Sequence, residues 1–151
     1  MDKIKVVILS DGELQVKETA NTLEELQSIV GGYIEMPFLG GIFNKHKINP
    51  IINEEGKFIK TLNPEIALID SNTNKVLDVI YGNCIFASHD MYGETISLND
   101  EQIKVVMEEL KQEVSLSYND SEKQHIVRAL FIWRNDGKYL KENNKTTWHN
   151  S

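Results

Sequence analysis

A chain of 151 residues, 40% hydrophobic and 26% charged, has the make-up of one compact domain with its own core. Its 23 acidic residues outnumber 16 Lys plus Arg, and the formal charge of -7 disfavours a broad phosphate-binding surface, while a small basic pocket remains compatible. The single cysteine, Cys84, excludes an intramolecular disulfide and a multi-cysteine zinc centre, and fits a reducing cytoplasm.

No apolar run is long enough to span a bilayer, and the start lacks the pattern of a secretory signal. The histidines, His46, His89, His125 and His149, are scattered, and no metal-ligand spacing recurs. No metal and no cofactor is expected.

Lys3 to Leu9 reads as a β-branched strand, and Ser10-Asp11-Gly12-Glu13 as a turn into a second strand through Leu14 and Val16. Thr22 stands three residues before Glu25, the spacing of a reciprocal helix cap, and Leu23, Leu26, Ile29 and Val30 form an apolar stripe. Gly31-Gly32 ends that helix, and Tyr33-Ile34-Glu35 re-enters a sheet. Residues 37–50 read as a loop, and 51–59 as a hairpin with Gly56 in a left-handed turn position. Two strands, 66–70 and 76–81, flank a polar turn, and Cys84 to Ala87 forms another strand.

From Asn99 the pattern becomes helical. Asn99 and Gln102 have capping spacing, followed by Ile103, Val106, Met107, Leu110 and Val114 on one face. Asn119 and Glu122 repeat the signal ahead of Ile126, Val127, Leu130, Phe131 and Trp133, with a stop at Asn135-Asp136-Gly137. The expected fold class is α+β: a mainly antiparallel sheet packed by an N-terminal helix, with a C-terminal helical pair. Residues 1–98 form the core and 99–151 a helical extension of the same domain.

The order of Thr22-Leu23-Glu24-Glu25-Leu26-Gln27, Val30-Gly31-Gly32-Tyr33-Ile34-Glu35, Asn53-Glu54-Glu55-Gly56-Lys57, Asn63-Pro64 and Asp78-Val79-Ile80-Tyr81-Gly82 resembles the DUF3846 family over roughly Lys3 to Leu110. That family comprises short uncharacterised proteins of phages, plasmids and their bacterial hosts. The resemblance implies a mobile-element setting and a counter-defence role, and carries no catalytic assignment. The family pattern often has a basic residue where Pro64 stands here.

Each candidate site residue has a structural alternative. Gly31 and Gly32 offer amides to an anion, or simply stop a helix at the end where its dipole repels anions. Tyr33 suits stacking on a base, or core packing with its hydroxyl at the rim. Lys45, His46 and Lys47 would steer an acidic ligand, or form a solvated loop. Asn53 and Asn63 have amides that read both donor and acceptor edges, and that also brace turns. Glu54 and Glu55 are adjacent, so on a strand they face opposite ways and make no carboxylate dyad. Cys84 lies in an apolar run and reads as an inert buried thiol. His89 and Asp90 are weak acid/base candidates that require convergence of their side chains.

These features point to a non-enzymatic, cytoplasmic binding protein. It would sequester a cyclic or other nucleotide-derived small molecule at Gly32, Tyr33, Lys45 to Lys47, Asn53 and Asn63, or bind a host defence protein. The alternatives are a nucleotide-modifying or nucleotide-hydrolysing enzyme using His89 and Asp90, and a small regulatory protein-interaction subunit. A homo-oligomer is compatible with each. No membrane or broad nucleic-acid partner is expected.

Overall fold

The computed structural model describes residues 2–59, 61–117 and 124–132. Strands β1 (Lys3–Ser10) and β2 (Glu13–Ala20) form a hairpin paired from Lys3↔Ala20 to Ser10↔Glu13. Asp11 and Gly12 connect them with positive φ of 50° and 82°, the backbone of a tight hairpin turn whose twist matches the strands.

Helix α1 (Leu23–Val30) begins where the Thr22 hydroxyl accepts the Glu25 amide at 3.2 Å. It ends at Gly31, φ 85°, whose amide donates to the Gln27 carbonyl. Then come β3 (Ile34–Glu35), the short α2 (Gly41–Lys45) and β4 (Ile48–Asn53). A 3-10 turn at Gly56–Phe58 precedes β5 (Pro64–Asp70), β6 (Val76–Tyr81), β7 (Cys84–His89) and β8 (Thr95–Ile96). Helix α3 (Asp100–Glu109) carries the full reciprocal cap: Asn99 accepts the Gln102 amide and Gln102 accepts the Asn99 amide, both at 2.8 Å. Strands β9 (Glu113–Ser117) and β10 (Gln124–Ile132) follow.

The strands make two sheets. The first runs β2-β1-β7-β4-β3, with β8 also on β7, and its pairings are antiparallel. The second runs β6-β5-β10-β9 and is mixed, because β5 and β10 are parallel. The main core lies between them: Val7, Leu9 and Phe86 from the first sheet meet Ile66, Leu68 and Leu130 from the second, with Val106 and Leu110 from the α3 segment. Each such side chain removed from water contributes roughly 1.5–3 kcal/mol before ordering costs. On the other face of the first sheet, Leu26 and Val30 of α1 pack on Val6, Ile51 and Ile85.

This architecture overturns the expected α+β fold. Among the described residues the chain is mostly β, in two sheets with a few short helices, and the expected C-terminal helical pair does not form. Only α3 of that pair forms. Val114 lies in β9, and Ile126, Val127, Leu130 and Phe131 lie in β10. The central part of β10 is covered on both faces: Leu130 and Ile132 turn to the main core, Val127 and Ala129 to a separate cluster with Ala67 and Ile69. A strand covered on both faces yields a near-continuous apolar run, which also fits helical spacing. The second capping signal at Asn119 and Glu122, together with Trp133 and residues 135–137, lies outside the described residues.

Two smaller readings also change. Residues 51–59 are not a hairpin, because β4 begins back at Ile48 and the chain leaves it through the 3-10 turn. Gly56 has no positive φ; its role is steric, since a Cβ there would stand 2.8 Å from the Tyr81 carbonyl oxygen. The expected loop at 37–50 contains α2 and the start of β4. Among the described residues no helix is long and apolar enough to cross a membrane.

Candidate functional site

Strand β4 delivers Asn53 to the point where α1 ends and β3 begins, pairing it with Ile34. The Asn53 side chain is buried. Its Nδ2 donates to the Val30 carbonyl at 3.2 Å, and its Oδ1 accepts the Glu55 amide at 2.8 Å. The Glu54 amide donates to the Tyr33 carbonyl at 2.8 Å. One side chain thus ties the helix end to the turn after β4, and both its polar atoms are occupied. Gly32 fits beside it only because it lacks a side chain: a Cβ would lie 2.9 Å from Asn53 Nδ2.

The neighbouring segments lock on in the same way. Lys57 Nζ pairs with Asp78 Oδ1 at 2.7 Å, joining the 3-10 turn to β6. Asn83 Nδ2 donates to the Ile29 carbonyl at 3.0 Å, and the Gly82 amide to the Asn63 carbonyl at 2.9 Å. The glycine, asparagine and aspartate motifs of the sequence are therefore parts of one scaffold around the end of β4.

Two shallow clefts flank Asn53. One, of about 310 Å³, is lined by Gln27, Gly32, Tyr33, Asn53, Glu55 and Ile59. The other, of about 160 Å³, includes Glu35, Glu54, Lys57, Phe58 and Asp78. Tyr33 is 72% exposed and Phe58 82% exposed, so each cleft carries an aromatic ring that the core does not use. Phe58 was not among the sequence candidates. Its signal is an aromatic directly after Gly56-Lys57, which the hairpin reading assigns to a strand.

The other sequence candidates lie elsewhere. Lys45, His46 and Lys47 precede β4, at the opposite end from Asn53; at about 3.3 Å per residue that strand alone separates them by roughly 17 Å. Lys45 and Lys47 are exposed. The backbone around them is braced, since Gln102 Nε2 donates to the His46 carbonyl at 2.7 Å and the Ser88 hydroxyl to the Lys47 carbonyl at 2.9 Å. Asn63 lines a third cleft, of about 250 Å³, with Asp11, Gly12, Glu65 and His125. Gly32, Tyr33 and Asn53 converge; the basic segment and Asn63 do not join them.

Chemistry-bearing groups are likewise apart or occupied. The Asp90 carboxylate accepts the Tyr92 and Glu94 amides at 2.8 and 2.9 Å, bracing the turn into β8. His89 Nδ1 is buried without a hydrogen-bond partner. The Cys84 thiol is fully buried, and burial pushes its pKa far up, so the thiolate nucleophile is suppressed. Glu65 is buried in β5, and burial raises its pKa; the Gly12 amide, donated to it at 2.9 Å, and the Arg128 guanidinium pull the other way. Among the described residues no three His, Cys, Asp or Glu side chains gather where they could hold a metal ion.

No curated protein and no solved structure matches the chain. A family model does match, over residues 4–111, and it spans α1, the Asn53 scaffold and α3. The chain belongs to the DUF3846 family, a domain of unknown function.

Proposed function

We propose that this protein is a non-enzymatic binding module that captures a protein partner through the face around Asn53, in the cytoplasm of a bacterial host. The observation that carries the reading is the pair of exposed rings, Tyr33 and Phe58, standing on either side of a buried, fully bonded asparagine. Exposed aromatics rimmed by polar groups are the usual anchors of protein interfaces. Among the described residues the rim is acidic, with Glu35, Glu54, Glu55 and Asp78, and the one lysine lining it there, Lys57, is paired with Asp78. That charge favours a basic partner surface and disfavours a phosphate. Of the residues offered for a nucleotide, Gly32, Tyr33 and Asn53 line one cleft without a basic side chain among its described residues, and Lys45 to Lys47 stand at the other end of β4, which favours the protein partner over the nucleotide. The counter-defence setting rests on the family resemblance alone.

Gentle purification of the full chain from a bacterial host, followed by native mass spectrometry, tests this. A stoichiometric protein partner, retained by the wild type and lost in the double variant Tyr33→Ala/Phe58→Ala, is the expected result. A nucleotide released intact from the wild type, with no protein bound, overturns it.

A further inference from the structure

The two-residue turn between β1 and β2 is Asp11-Gly12. An aspartate followed by glycine is open to attack by the backbone on its own side chain, because glycine has no Cβ to hinder the approach. The Gly12 nitrogen attacks the Asp11 side-chain carboxyl carbon, and the new C–N bond closes a five-membered succinimide. The carboxylic acid loses its hydroxyl, which leaves with the amide proton as water. Water then adds back to either ring carbonyl. Opening at the side-chain carbonyl restores aspartate. Opening at the main-chain carbonyl leaves isoaspartate, with the backbone routed through the former side chain. One water is lost and one regained, so the sum is an isomerisation that needs no other reactant.

Nothing local obstructs that chemistry here. Asp11 is exposed, and among the described residues a Cβ placed on Gly12 would meet no atom within 4 Å. The cleft of about 250 Å³ that Asp11 and Gly12 share with Glu65 and His125 gives water access to the turn.

The restraint lies in the backbone. Positive φ at both residues, 50° and 82°, makes this a type I′ turn. Its first residue has ψ of about 30°, which sets the next nitrogen nearly opposite Cβ across the Cα–C bond. Ring closure needs the Gly12 nitrogen on the same side as the Asp11 Cβ, so the Asp11-Gly12 peptide plane must turn over. Gly12 is held against that rotation on both sides. Its amide donates to Glu65 Oε1 at 2.9 Å, and its carbonyl accepts Arg128 Nε and Nη2 at 3.2 and 2.7 Å. Glu65 in β5 and Arg128 in β10 stand on adjacent strands of the second sheet. The turn of the first sheet is therefore held by the second.

We propose that Asp11 is an isomerisation site that the Glu65 and Arg128 clamp holds shut, so that isoaspartate accumulates there only when the two sheets part at the turn. The product does not fit back into the clamp. Its extra backbone carbon breaks the two-residue connection set by Ser10↔Glu13 and displaces the Gly12 amide and carbonyl from both partners. The modification is thus a lasting record of opening, and it weakens the docking that prevents it. The site shares no residue with the Asn53 face, so neither proposal depends on the other.

The test ages the full chain at neutral pH, natively and in urea, and then digests it. The isoaspartyl form of the Asp11 peptide has unchanged mass, separates from the aspartyl form by chromatography, and is identified by electron-transfer fragmentation. The native wild type should form it at least about tenfold more slowly than the unfolded chain, the factor that one hydrogen bond lost on opening is worth. Glu65→Ala removes the acceptor and should raise the native rate about tenfold, whereas Glu65→Gln keeps an oxygen for the amide and should stay near the wild type. Arg128→Lys keeps the charge without the fork and should fall between. Val106→Ala loosens the main core without touching the turn, and should stay near the wild type, which separates the clamp from a general loss of stability. Should Glu65→Ala not fold, Arg128→Lys carries the same test, and ageing no faster than the wild type overturns the clamp. Native wild type ageing as fast as in urea, Glu65→Ala ageing no faster than the wild type, or Val106→Ala ageing as fast as Glu65→Ala would each overturn it as well.

Discussion

Gly32 and Asn53 are so close that a single added methyl group would collide: a Cβ on residue 32 falls 2.9 Å from Asn53 Nδ2. The amide cannot swing away cheaply, because Nδ2 holds the Val30 carbonyl and Oδ1 holds the Glu55 amide. Gly32→Ala should therefore break the Asn53 bond to Val30 and cost about 1–3 kcal/mol, the cost of leaving a buried polar group unpaired. Asn53→Ala should cost a similar amount or more, since it orphans both partners. The two changes act through one contact, so their effects should not add. Urea unfolding of both single variants and the double variant checks this. Additive losses would mean that the glycine serves the backbone alone.

Arg128 reaches from β10 to the hairpin turn, where its Nε and Nη2 both donate to the Gly12 carbonyl at 3.2 and 2.7 Å, and its Nη1 donates to the Leu110 carbonyl at 3.2 Å. Glu65 accepts the amide of the same Gly12 at 2.9 Å. The two sheets are thus stitched at one glycine by a donor and an acceptor on adjacent strands. Arg128→Ala should destabilise the fold by about 2–3 kcal/mol, and Arg128→Lys by an intermediate amount, because a single ammonium cannot copy the guanidinium fork. Chemical denaturation ranks the three proteins, and equal stability of lysine and arginine would reduce the contact to its charge.

Local signals in this sequence are reliable where the partner is a few residues away. The Asn99 cap and the Asp11-Gly12 turn are legible in short windows and form, while of the reciprocal Thr22 cap the bond from the Glu25 amide to the Thr22 hydroxyl forms. The Asn53 bond to the amide two residues on is the turn-bracing alternative that its neighbours suggest, but its bond to Val30 spans 23 residues and leaves no local trace. Strand β10 fails for a related reason. Its partner β5 lies some sixty residues earlier and covers it with no help from local pattern, so periodicity alone could not separate strand from helix. Tyr33 and Asn53 converge because β3 and β4 pair; Lys45 to Lys47 do not, because a whole strand intervenes.

Cys84 sits at the start of β7 with no exposed surface, and burial holds its thiol far above the range where thiolate forms at neutral pH. The native protein should leave it unmodified by a thiol reagent such as iodoacetamide at neutral pH. Reaction should become stoichiometric once urea unfolds the chain. Mass spectrometry before and after unfolding reads this directly, and rapid native labelling would show that the first sheet opens at β7.

Glu65 gives the fold a pH dependence of definite sign. Its carboxyl is buried, so the folded pKa stands above the ordinary value of 4.5, with Asp11 adding to the rise. The folded state therefore holds this proton more tightly than the unfolded chain does. Stability from this group is complete below the unfolded pKa and is lost as pH rises through the folded one. Glu65→Gln keeps an oxygen for the Gly12 amide and removes the titration. Measured by urea unfolding from pH 4 upward, the wild type should lose ground to Glu65→Gln as pH rises across that window and then run parallel to it. A constant difference at every pH would mean that the carboxyl ionises in the folded protein as freely as in the unfolded chain, with the Gly12 amide and Arg128 cancelling the whole cost of its burial.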